Sequence, residues 1–417
     1  MKRKLLNQLV KWYENNTNSP LLLYGPKGVG KTRLIFDFIN TYNENKVYIN
    51  FEHNPMLSNL FKHTDEQIVI QKISDYFHIP STDQTIIVLD EITFCTEVFE
   101  FLEHDLSKYP HLKFILISSF HLPKVEQTVS NKLMKLRLYP LDFEEFLDAT
   151  GYVWYISVIR EHYITNQPIP DILHEELLDI FDEYLMVGGM PLAVNEYITL
   201  NSALNISEQH MLITNHYFTS LKNRMSEGEY LKAFQIYQTI DEQLSKKNKK
   251  FQYNLIRKGA TRKIYENAMS NLVDDYFVIP SSKLCPSKIE DSNKIYMFDT
   301  GLLLTKAKKS MSSTIVENDS VFYRGLLENN IAVELHSKGY SLNYWESNSL
   351  AKIDFVIEKN GIILPIEVRE TSHTRSKALS IFKTAFPSTN ESIKISPKNF
   401  SYNNSVKYVP LYATFCI

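Results

Sequence analysis

One glycine-rich segment near the start of the chain restricts its possible folds more than any other feature. Residues 25–32 read GPKGVGKT, follow the apolar run LLLY at 21–24, and lead into RLIFDFI at 33–39. Three glycines allow a tight backbone loop whose N–H groups point inward at an anion, and a following helix adds the positive end of its dipole. The segment therefore predicts a strand, a phosphate-binding loop and a helix, which begin an α/β fold with a parallel sheet.

The loop residues predict a nucleotide site that uses ATP and Mg²⁺. In such a loop, Lys31 reaches the β and γ phosphates and the Thr32 hydroxyl binds the magnesium ion. A chance match of a short motif is the alternative, and the apolar run before the loop argues against it. The candidate nucleotide-binding residues are Gly25, Pro26, Lys27, Gly28, Val29, Gly30, Lys31, Thr32 and Arg33.

Two further apolar runs end in polar residues that suit the same site. Residues 85–91 read TIIVLDE, the pattern of a buried parallel strand whose carboxyl end meets a ligand crevice. We expect Asp90 to bind the magnesium ion and Glu91 to polarise a water for attack on the γ-phosphate. Residues 113–119 end in two serines, of which Ser119 is a candidate sensor of the γ-phosphate. The alternatives are that the two acids only cap a strand and that the serines only form a turn.

Length and composition limit the class of protein. The 417 residues predict roughly two to four domains, and a hydrophobic content of 44% is enough for packed cores. No apolar run approaches the ~18–20 residues of a membrane helix, so we expect no membrane association. Cys95, Cys285 and Cys416 are isolated, which indicates neither a disulfide framework nor a zinc site and favours a cytoplasmic location. A net charge of −3 does not by itself predict nucleic-acid binding, so only local basic patches can indicate it.

Helical periodicity dominates residues 142–200. A break at 187–191 reads VGGMP, where Gly188 and Gly189 allow a tight turn and Pro191 starts the next helix. We interpret this region as a helical lid over the nucleotide.

A basic stretch without acids follows at residues 245–263. Its charged residues are Lys246, Lys247, Lys249, Lys250, Arg257, Lys258, Arg262 and Lys263. Helices at 253–258 and 261–274, followed by strands at 276–280 and 294–298, predict a helix-turn-helix with a β-wing. The residues expected to contact the phosphates of duplex DNA are Lys249, Lys250, Arg262 and Lys263. A solvated face, or a winged helix that binds protein, is the alternative.

Three carboxylates in the last third of the chain predict a second site. Glu328 lies in the helical segment 323–335, Asp354 in the strand-like run IDFVI, and Glu367 in the run PIEV. Carboxylates at the ends of adjacent strands converge, and an oxygen-rich set of this kind binds magnesium and cleaves phosphodiesters. We therefore name these three acids as candidate ligands of a second metal ion.

The motifs together resemble one family. They are GPKGVGKT at 25–32, IIVLDEI at 86–92, LYPLDFEEFL at 138–147, VGGMP at 187–191, LSKKNKKFQY at 244–253, DTGLL at 299–303, RGLLEN at 324–329, IDFVI at 353–357 and PIEV at 365–368. With these motifs in this order, the chain resembles, nearly end to end, the prokaryotic AAA-type ATPases fused to a C-terminal restriction-endonuclease-like domain of poorly assigned role.

The resemblance implies four parts and one further role. The parts are an AAA-type ATP-binding core at 1–140, a helical lid at 141–204, a helical and winged-helix region at 205–310, and a small α/β domain of the PD-(D/E)XK type at 311–417. In related ATPases a G-x-P turn approaches the nucleotide, so the resemblance also implies an adenine-side role for Gly189 and Pro191.

The chain departs from the family at the nuclease-like end. Where the nuclease motif has a lysine that activates water, this chain has Arg369, whose guanidinium is larger and essentially never neutral. Lys352 replaces an acid that often lies two residues before the family's aspartate. Both departures favour a degenerate domain over an active nuclease.

These expectations combine into one leading function and two alternatives. The leading one is an ATP-binding AAA-type ATPase that acts as a nucleotide-driven switch and engages DNA or a protein partner. The alternatives are an ATP-licensed, metal-dependent DNA nuclease suited to defence, and a non-catalytic ATP-binding scaffold.

Overall fold

The computed structural model of the chain forms two compact units. The residues it describes are 1–15, 19–42, 45–63, 65–79, 84–122, 132–200, 206–284, 289–310, 320–347, 351–372 and 377–417. One unit comprises Lys2–Tyr139 with Asp274–Tyr276, and the other comprises Pro140–Val273 and Phe277–Ile417 with Met1. We call them the N-terminal unit and the C-terminal unit.

The N-terminal unit is an α/β structure around a five-stranded sheet. Its strands are β1 (Leu21–Tyr24), β2 (Lys46–Asn50), β3 (Thr85–Asp90), β4 (Leu112–Ser118) and β5 (Met134–Arg137), and its helices are α1 (Leu6–Glu14), α2 (Lys31–Tyr42), α3 (Glu66–Phe77) and α4 (Glu97–Phe101). Short 3₁₀ helices cover Pro55–Phe61, Ile92–Phe94 and Leu106–Lys108. The strand order is β2-β3-β4-β1-β5, and every pairing is parallel. The predicted α/β fold with a parallel sheet is confirmed.

The apolar runs of the sequence become the central strands of this sheet. β3 is buried along its whole length, and β1 is paired on both sides, so neither strand shows the alternation of a half-exposed strand. Because all the strands are parallel, the carboxyl ends of β1, β3 and β4 lie at one edge of the sheet. The phosphate-binding loop, Asp90 and Ser119 all lie at that edge.

A tripeptide from a distant part of the chain completes the N-terminal unit. In Asp274–Tyr276, the Asp275 carboxylate accepts a hydrogen bond from the backbone N–H of His121 at 3.2 Å. The Arg137 guanidinium lies between two rings, 4.5 Å from the centre of Tyr139 and 4.4 Å from that of Tyr276. The tripeptide therefore covers the residues that follow β4 and the carboxyl end of β5.

The C-terminal unit combines helices with an eight-stranded mixed sheet. Its helices are α5 (Phe143–Ala149), α6 (Val153–Thr165), α7 (Asp171–Val187), α8 (Pro191–Leu200), α9 (Ile206–Arg224), α10 (Glu227–Leu244), α11 (Arg262–Asp274), α12 (Thr300–Ser310), α13 (Ser320–Ser337) and α14 (Ala378–Ala385). Its strands are β6 (Val278–Leu284), β7 (Ile289–Met297), β8 (Asn343–Glu346), β9 (Lys352–Lys359), β10 (Ile362–Val368), β11 (Ser392–Ser396), β12 (Ser401–Asn403) and β13 (Val406–Pro410). Short 3₁₀ helices cover Tyr253–Leu255 and Leu411–Cys416, and the sheet order is β12-β13-β11-β10-β9-β8-β6-β7.

The hairpin predicted as a β-wing belongs to this eight-stranded sheet. β6 and β7 pair antiparallel, and β6 also pairs in parallel with β8. The sheet therefore contains strands from both sides of the boundary predicted at residue 310. Of the predicted helix-turn-helix, the second helix corresponds to α11, whereas the first is only the 3₁₀ turn Tyr253–Leu255.

The structure also bears on membrane contact and on the cysteines. No helix among the described residues is long and apolar enough to cross a membrane. Cys95 and Cys416 are free thiols, and Cys285 lies outside the described residues. Burial raises the pKa of both described thiols to about 12, which disfavours the nucleophilic thiolate form at neutral pH.

Candidate functional site

The phosphate-binding loop has a backbone that requires glycine. Gly25, Gly28 and Gly30 have φ angles of +148°, +87° and +90°, which residues with side chains rarely adopt. A Cβ atom on Gly25 would in addition collide with the carbonyl oxygen of Leu138. Helix α2 begins at Lys31, directly after the loop. Its unpaired N-terminal N–H groups and its dipole are therefore available to an anion held by the loop.

Lys31 is buried at this loop. Its side chain is 5% exposed, and its Nζ donates hydrogen bonds to the carbonyl oxygens of Gly25 and Pro26, each at 2.9 Å. Burial lowers the pKa of Lys31 to about 8, although the nearby Glu91 and Asp90 carboxylates oppose the shift. A phosphate stabilises such an ammonium more than two carbonyl dipoles do, because it offers full negative charge.

Asp90 lies in a hydrogen-bonded set at the end of β3. The Thr32 hydroxyl donates to Asp90 Oδ2 at 2.8 Å, and the Tyr48 hydroxyl donates to the same oxygen at 2.7 Å. Asp90 is 2% exposed, and its Oδ1 has no hydrogen-bond partner among the described residues. A buried carboxylate oxygen without a partner, beside a threonine hydroxyl, is a donor set suited to a hard cation. The residues therefore fit Mg²⁺, which Thr32 and Asp90 would hold.

Glu91 is held by the neighbouring strand's end. Its backbone is left-handed, with φ of +53°, at the point where β3 has ended. The Ser119 hydroxyl donates a hydrogen bond to Glu91 Oε1, and the Ser119 backbone N–H donates to Oε2 at 3.2 Å. Burial raises the pKa of Glu91, while Lys31 and Ser119 oppose that shift. Ser119, predicted as a sensor of the γ-phosphate, thus contacts the candidate base directly.

The remaining predicted loop residues have other partners in the N-terminal unit. Lys27 forms an ion pair with Glu52, with 2.8 Å between Nζ and each carboxylate oxygen. Arg33 is 82% exposed at the side chain and pairs with Asp37 one helical turn later at 2.9 Å. Arg33 therefore lies on the outer face of α2, and a contact with the nucleotide stays a prediction.

Sequence reasoning missed two residues that brace this site. Tyr48 lies on β2, whose register sets Asn50 opposite Asp90, and its hydroxyl therefore reaches the Asp90 carboxylate. Arg3 donates from its guanidinium to the carbonyl oxygen of Val29 in the loop at 2.9 Å. A tyrosine and an asparagine at alternate positions near the end of a predicted strand are a signal for Tyr48. Nothing in the local sequence marks Arg3.

The predicted adenine-side turn packs against other segments of the C-terminal unit. The Gly189 N–H donates to Asp299 Oδ2 at 2.7 Å, and the Gly189 carbonyl accepts from the Leu141 N–H at 2.7 Å. A Cβ on Gly189 would collide with the Leu141 carbonyl oxygen, and one on Gly188 would collide with the Asp299 carboxylate. Pro191 begins α8, as predicted. The glycines thus have a packing role, and the adenine-side role of Gly189 and Pro191 stays a prediction.

His210 and Asp299 are buried beside this turn. The His210 ring places Nε2 2.9 Å from the Val187 carbonyl oxygen and Nδ1 2.7 Å from the Thr305 hydroxyl. Burial lowers the pKa of His210 and raises that of Asp299, and each group opposes the shift of the other. The motifs VGGMP, LYPLDFEEFL and DTGLL therefore meet in one packed region of the unit.

Of the three C-terminal acids, Glu328 and Asp354 are brought together by Arg324. The Arg324 guanidinium lies 3.3 Å from Glu328 Oε1 and 3.1 Å from Asp354 Oδ1. Glu328 also pairs with Lys249 at 3.5 Å and with Lys294 at 3.4 Å. Burial alone would raise the pKa of Glu328, but Lys294, Lys249 and Arg324 outweigh it and lower that pKa to about 2.

Glu367 has a separate set of partners. It pairs with Lys394 on β11 at 3.4 Å and with Arg369 two residues later. The described residues contain no group of three or more His, Cys, Asp and Glu side chains able to hold a metal ion. The second metal site at Glu328, Asp354 and Glu367 therefore stays a prediction without a donor set in the described part of the chain.

The residues predicted to contact DNA fall into two groups. Lys249 is 6% exposed and paired with Glu328, and Lys250 pairs with Glu346 at 2.5 Å. Arg262 and Lys263, by contrast, are exposed at the start of α11. Arg262 also lies 4.0 Å from Glu266 on the same helix, so the second pair differs from the first in its exposure to solvent.

The comparisons with known protein families match separate models to the N-terminal region and to later parts of the chain. Residues 17–147 match a family model described as an AAA domain. The N-terminal region is an AAA domain. It contains the phosphate-binding loop, Asp90 at the end of β3, Glu91 after it, and Ser119. Residues 178–313 and 324–414 match two further models, each described as a domain of unknown function, DUF8612 and DUF4143.

Two proteins are similar to the chain over longer stretches. An uncharacterized protein of Methanocaldococcus jannaschii is 23% identical over 370 residues, which cover 82% of this chain and 73% of that protein. The structure of C. elegans PCH-2 is 16% identical, with a TM-score of 0.29, and the similarity covers 47% of this chain and 58% of that one. The chain thus spans less than two thirds of the PCH-2 chain.

Proposed function

We propose that the chain is an ATPase whose AAA domain acts as a nucleotide-driven switch for engaging a partner. The observation that carries this proposal is the meeting of five side chains at one edge of the parallel sheet: Lys31, Thr32, Asp90, Glu91 and Ser119. Phosphoryl transfer to water needs positioned cations, a metal and a group that orients the water. Lys31 is the candidate cation, and Thr32 and Asp90 are the candidate metal ligands. Glu91, which Ser119 contacts, is the candidate group that orients the water.

Each group has a definite task in this mechanism. The loop N–H groups and the Lys31 ammonium bind the β and γ phosphates. Mg²⁺, when bound, would neutralise the phosphate oxygens. Glu91 orients the attacking water and takes its proton, and a pKa raised by burial brings this carboxylate closer to the range of an effective base. Ser119 positions Glu91 through two hydrogen bonds.

The test is ATP turnover and ATP binding by the purified full chain with magnesium. We expect Lys31→Ala to lose binding and Glu91→Gln to bind ATP without hydrolysing it. Lys62→Ala and Glu100→Gln change exposed residues of the same unit and serve as matched controls that keep turnover. Binding without turnover by the unchanged chain would instead favour a non-catalytic scaffold. If the unchanged chain does not bind ATP at all, the proposal is refuted.

The proposed partner is duplex DNA, engaged through Arg262 and Lys263, with a protein partner as the alternative. Both residues are exposed on one helix that starts with positive charge. We expect Arg262→Gln/Lys263→Gln to weaken DNA binding and to flatten its salt dependence, because fewer counterions are released. The control Lys308→Gln/Lys309→Gln removes the same charge from exposed positions of α12. Equal losses in both variants would indicate a nonspecific charge effect, and no DNA binding by the unchanged chain would favour the protein partner.

A further inference from the structure

One guanidinium occupies the centre of the acidic cluster in the C-terminal unit. Arg324 lies on α13, and its Nε is 3.3 Å from Glu328 on the same helix. Its Nη2 is 3.1 and 3.3 Å from the two oxygens of Asp354 on β9, and its Nη1 is 3.8 Å from Glu370, which follows β10. A single cation thus bridges three carboxylates that come from three different segments.

Glu328 and Asp354 have further partners besides Arg324. Lys249 lies 3.5 Å from Glu328 Oε1, and Lys294 lies 3.4 Å from Oε2. The backbone N–H of Val368 donates to Asp354 Oδ2 at 2.8 Å. Glu328 and Asp354 are both almost fully buried, so water does not screen these contacts.

Charge is already balanced in this cluster. Three carboxylates, Glu328, Asp354 and Glu370, face three cations, Lys249, Lys294 and Arg324. A buried set of carboxylates binds a divalent cation because the bare oxygens repel one another and lack other partners. Here Arg324, Lys249 and Lys294 already offset that repulsion, and an added Mg²⁺ would bring two uncompensated positive charges into a buried site. The residues present therefore do not fit the metal that the nuclease-like resemblance implies.

We propose that Arg324 takes the place of a divalent metal in this cluster. The cluster is a metal-free ion-pair site that ties α13 to β7, to β9 and to the segment around Lys249. Metal-dependent cleavage is then absent because of Arg324 at the centre, and Arg369 is not the residue that decides it. This inference is independent of the ATPase function of the other unit.

The proposal makes Arg324 the residue whose removal creates a metal site. A neutral glutamine at this position keeps the helix but removes the cation that Asp354 and Glu370 share, while Glu328 keeps its contacts with Lys249 and Lys294. In the space that the guanidinium leaves, the Asp354 and Glu370 carboxylates could turn toward Glu328, and three carboxylates brought together in this way would form a donor set for Mn²⁺ or Mg²⁺. The loss of one positive charge in a buried cluster also restores the repulsion that a metal relieves.

The experiment measures Mn²⁺ binding by electron paramagnetic resonance and calorimetry. All proteins carry Asp90→Asn, so that the ATP site does not contribute a metal. In this background we expect the otherwise unchanged chain to show no Mn²⁺ bound at the cluster. Arg324→Gln should gain about one Mn²⁺ per chain. It should bind this ion at least about tenfold more tightly than the Asp90→Asn protein with Arg324 intact binds Mn²⁺. Arg324→Lys, which keeps the charge, should gain none.

Two outcomes would overturn the proposal. One is an Mn²⁺ ion bound with Arg324 intact and lost on Asp354→Asn. The other is that the Arg324→Gln variant binds no Mn²⁺ although it keeps its circular-dichroism spectrum and melts cooperatively. If Arg324→Gln does not fold, Asp354→Asn with Arg324 intact still decides the matter, because the proposal expects its Mn²⁺ binding to equal that of the background protein.

Discussion

Raising the pH from 7 to 9 should weaken ATP binding, because Lys31 loses its proton over that range. Burial lowers the pKa of this lysine to about 8. A bound triphosphate raises it again, since negative charge beside an ammonium favours the protonated form. Below pH 8 the lysine is already charged, and ATP binds without taking up a proton. Above pH 8 a proton must be taken up, and the apparent affinity falls as pH rises.

The size of the effect follows from that value. At pH 9, one unit above a pKa of about 8, only about one lysine in ten is protonated. The affinity should therefore fall about tenfold between pH 7 and 9, which equals about 1.4 kcal/mol. Proton uptake on binding should rise in the same range from about 0.1 to about 0.9 per ATP.

Isothermal titration calorimetry at saturating magnesium, in two buffers with different heats of ionisation, measures both quantities. Lys31→Arg is the matched control, because a guanidinium stays protonated at pH 9 and its binding should not depend on pH. Glu91→Gln removes a carboxylate that raises the pKa of Lys31, so its ATP affinity should begin to fall at a lower pH than that of the wild type. If the wild type binds ATP equally well at pH 7 and 9 and takes up no proton, the pKa of Lys31 is not lowered by burial, and the prediction is refuted.

Three further changes test other contacts of the two units. Ser119→Ala should lower kcat about tenfold to a hundredfold with KM within about twofold, because it removes the hydroxyl hydrogen bond to Glu91 and leaves the phosphate contacts in place; an equal rise in KM would contradict this role. Tyr48→Phe removes a hydrogen bond to a charged carboxylate, worth about 1.5–3 kcal/mol, and should change the magnesium concentration that gives half-maximal turnover. Gly189→Ala should lower the free energy of unfolding by about 2 kcal/mol or more through a backbone collision, whereas Gly228→Ala, with open space around it, should not; equal melting temperatures would contradict the collision.

The parts of the nucleotide site that depend on local sequence could be predicted. Glycine spacing fixes the loop backbone, and continuous apolar runs mark buried parallel strands. Contacts between strands could not be predicted in the same way, because they depend on strand order. Ser119 reaches Glu91 only because β4 lies beside β3, and Tyr48 reaches Asp90 only because β2 lies on the other side.

The C-terminal acids show a different limit of sequence reasoning. The convergence of Glu328 and Asp354 could be predicted from a helix and a strand that each carry one acid. Their partners could not, because Lys249 and Lys294 come from segments far away in the chain. A lysine run gives the same pattern whether its side chains are solvated or paired. Burial, which the pattern does not encode, separates Lys249 from the exposed Arg262.

The tripeptide Asp274–Tyr276 imposes an order on the folding of the nascent chain. The strand β5 of the parallel sheet ends at Arg137, yet one of the two rings beside its guanidinium belongs to Tyr276. Roughly 140 residues separate Arg137 from Tyr276 in the chain. At a synthesis rate of ~5–20 residues per second, their synthesis takes on the order of ten seconds. During that interval the sheet can form, but Arg137 and Tyr24 lack this aromatic neighbour. A chain released early, after Tyr139, would stay in that incomplete state.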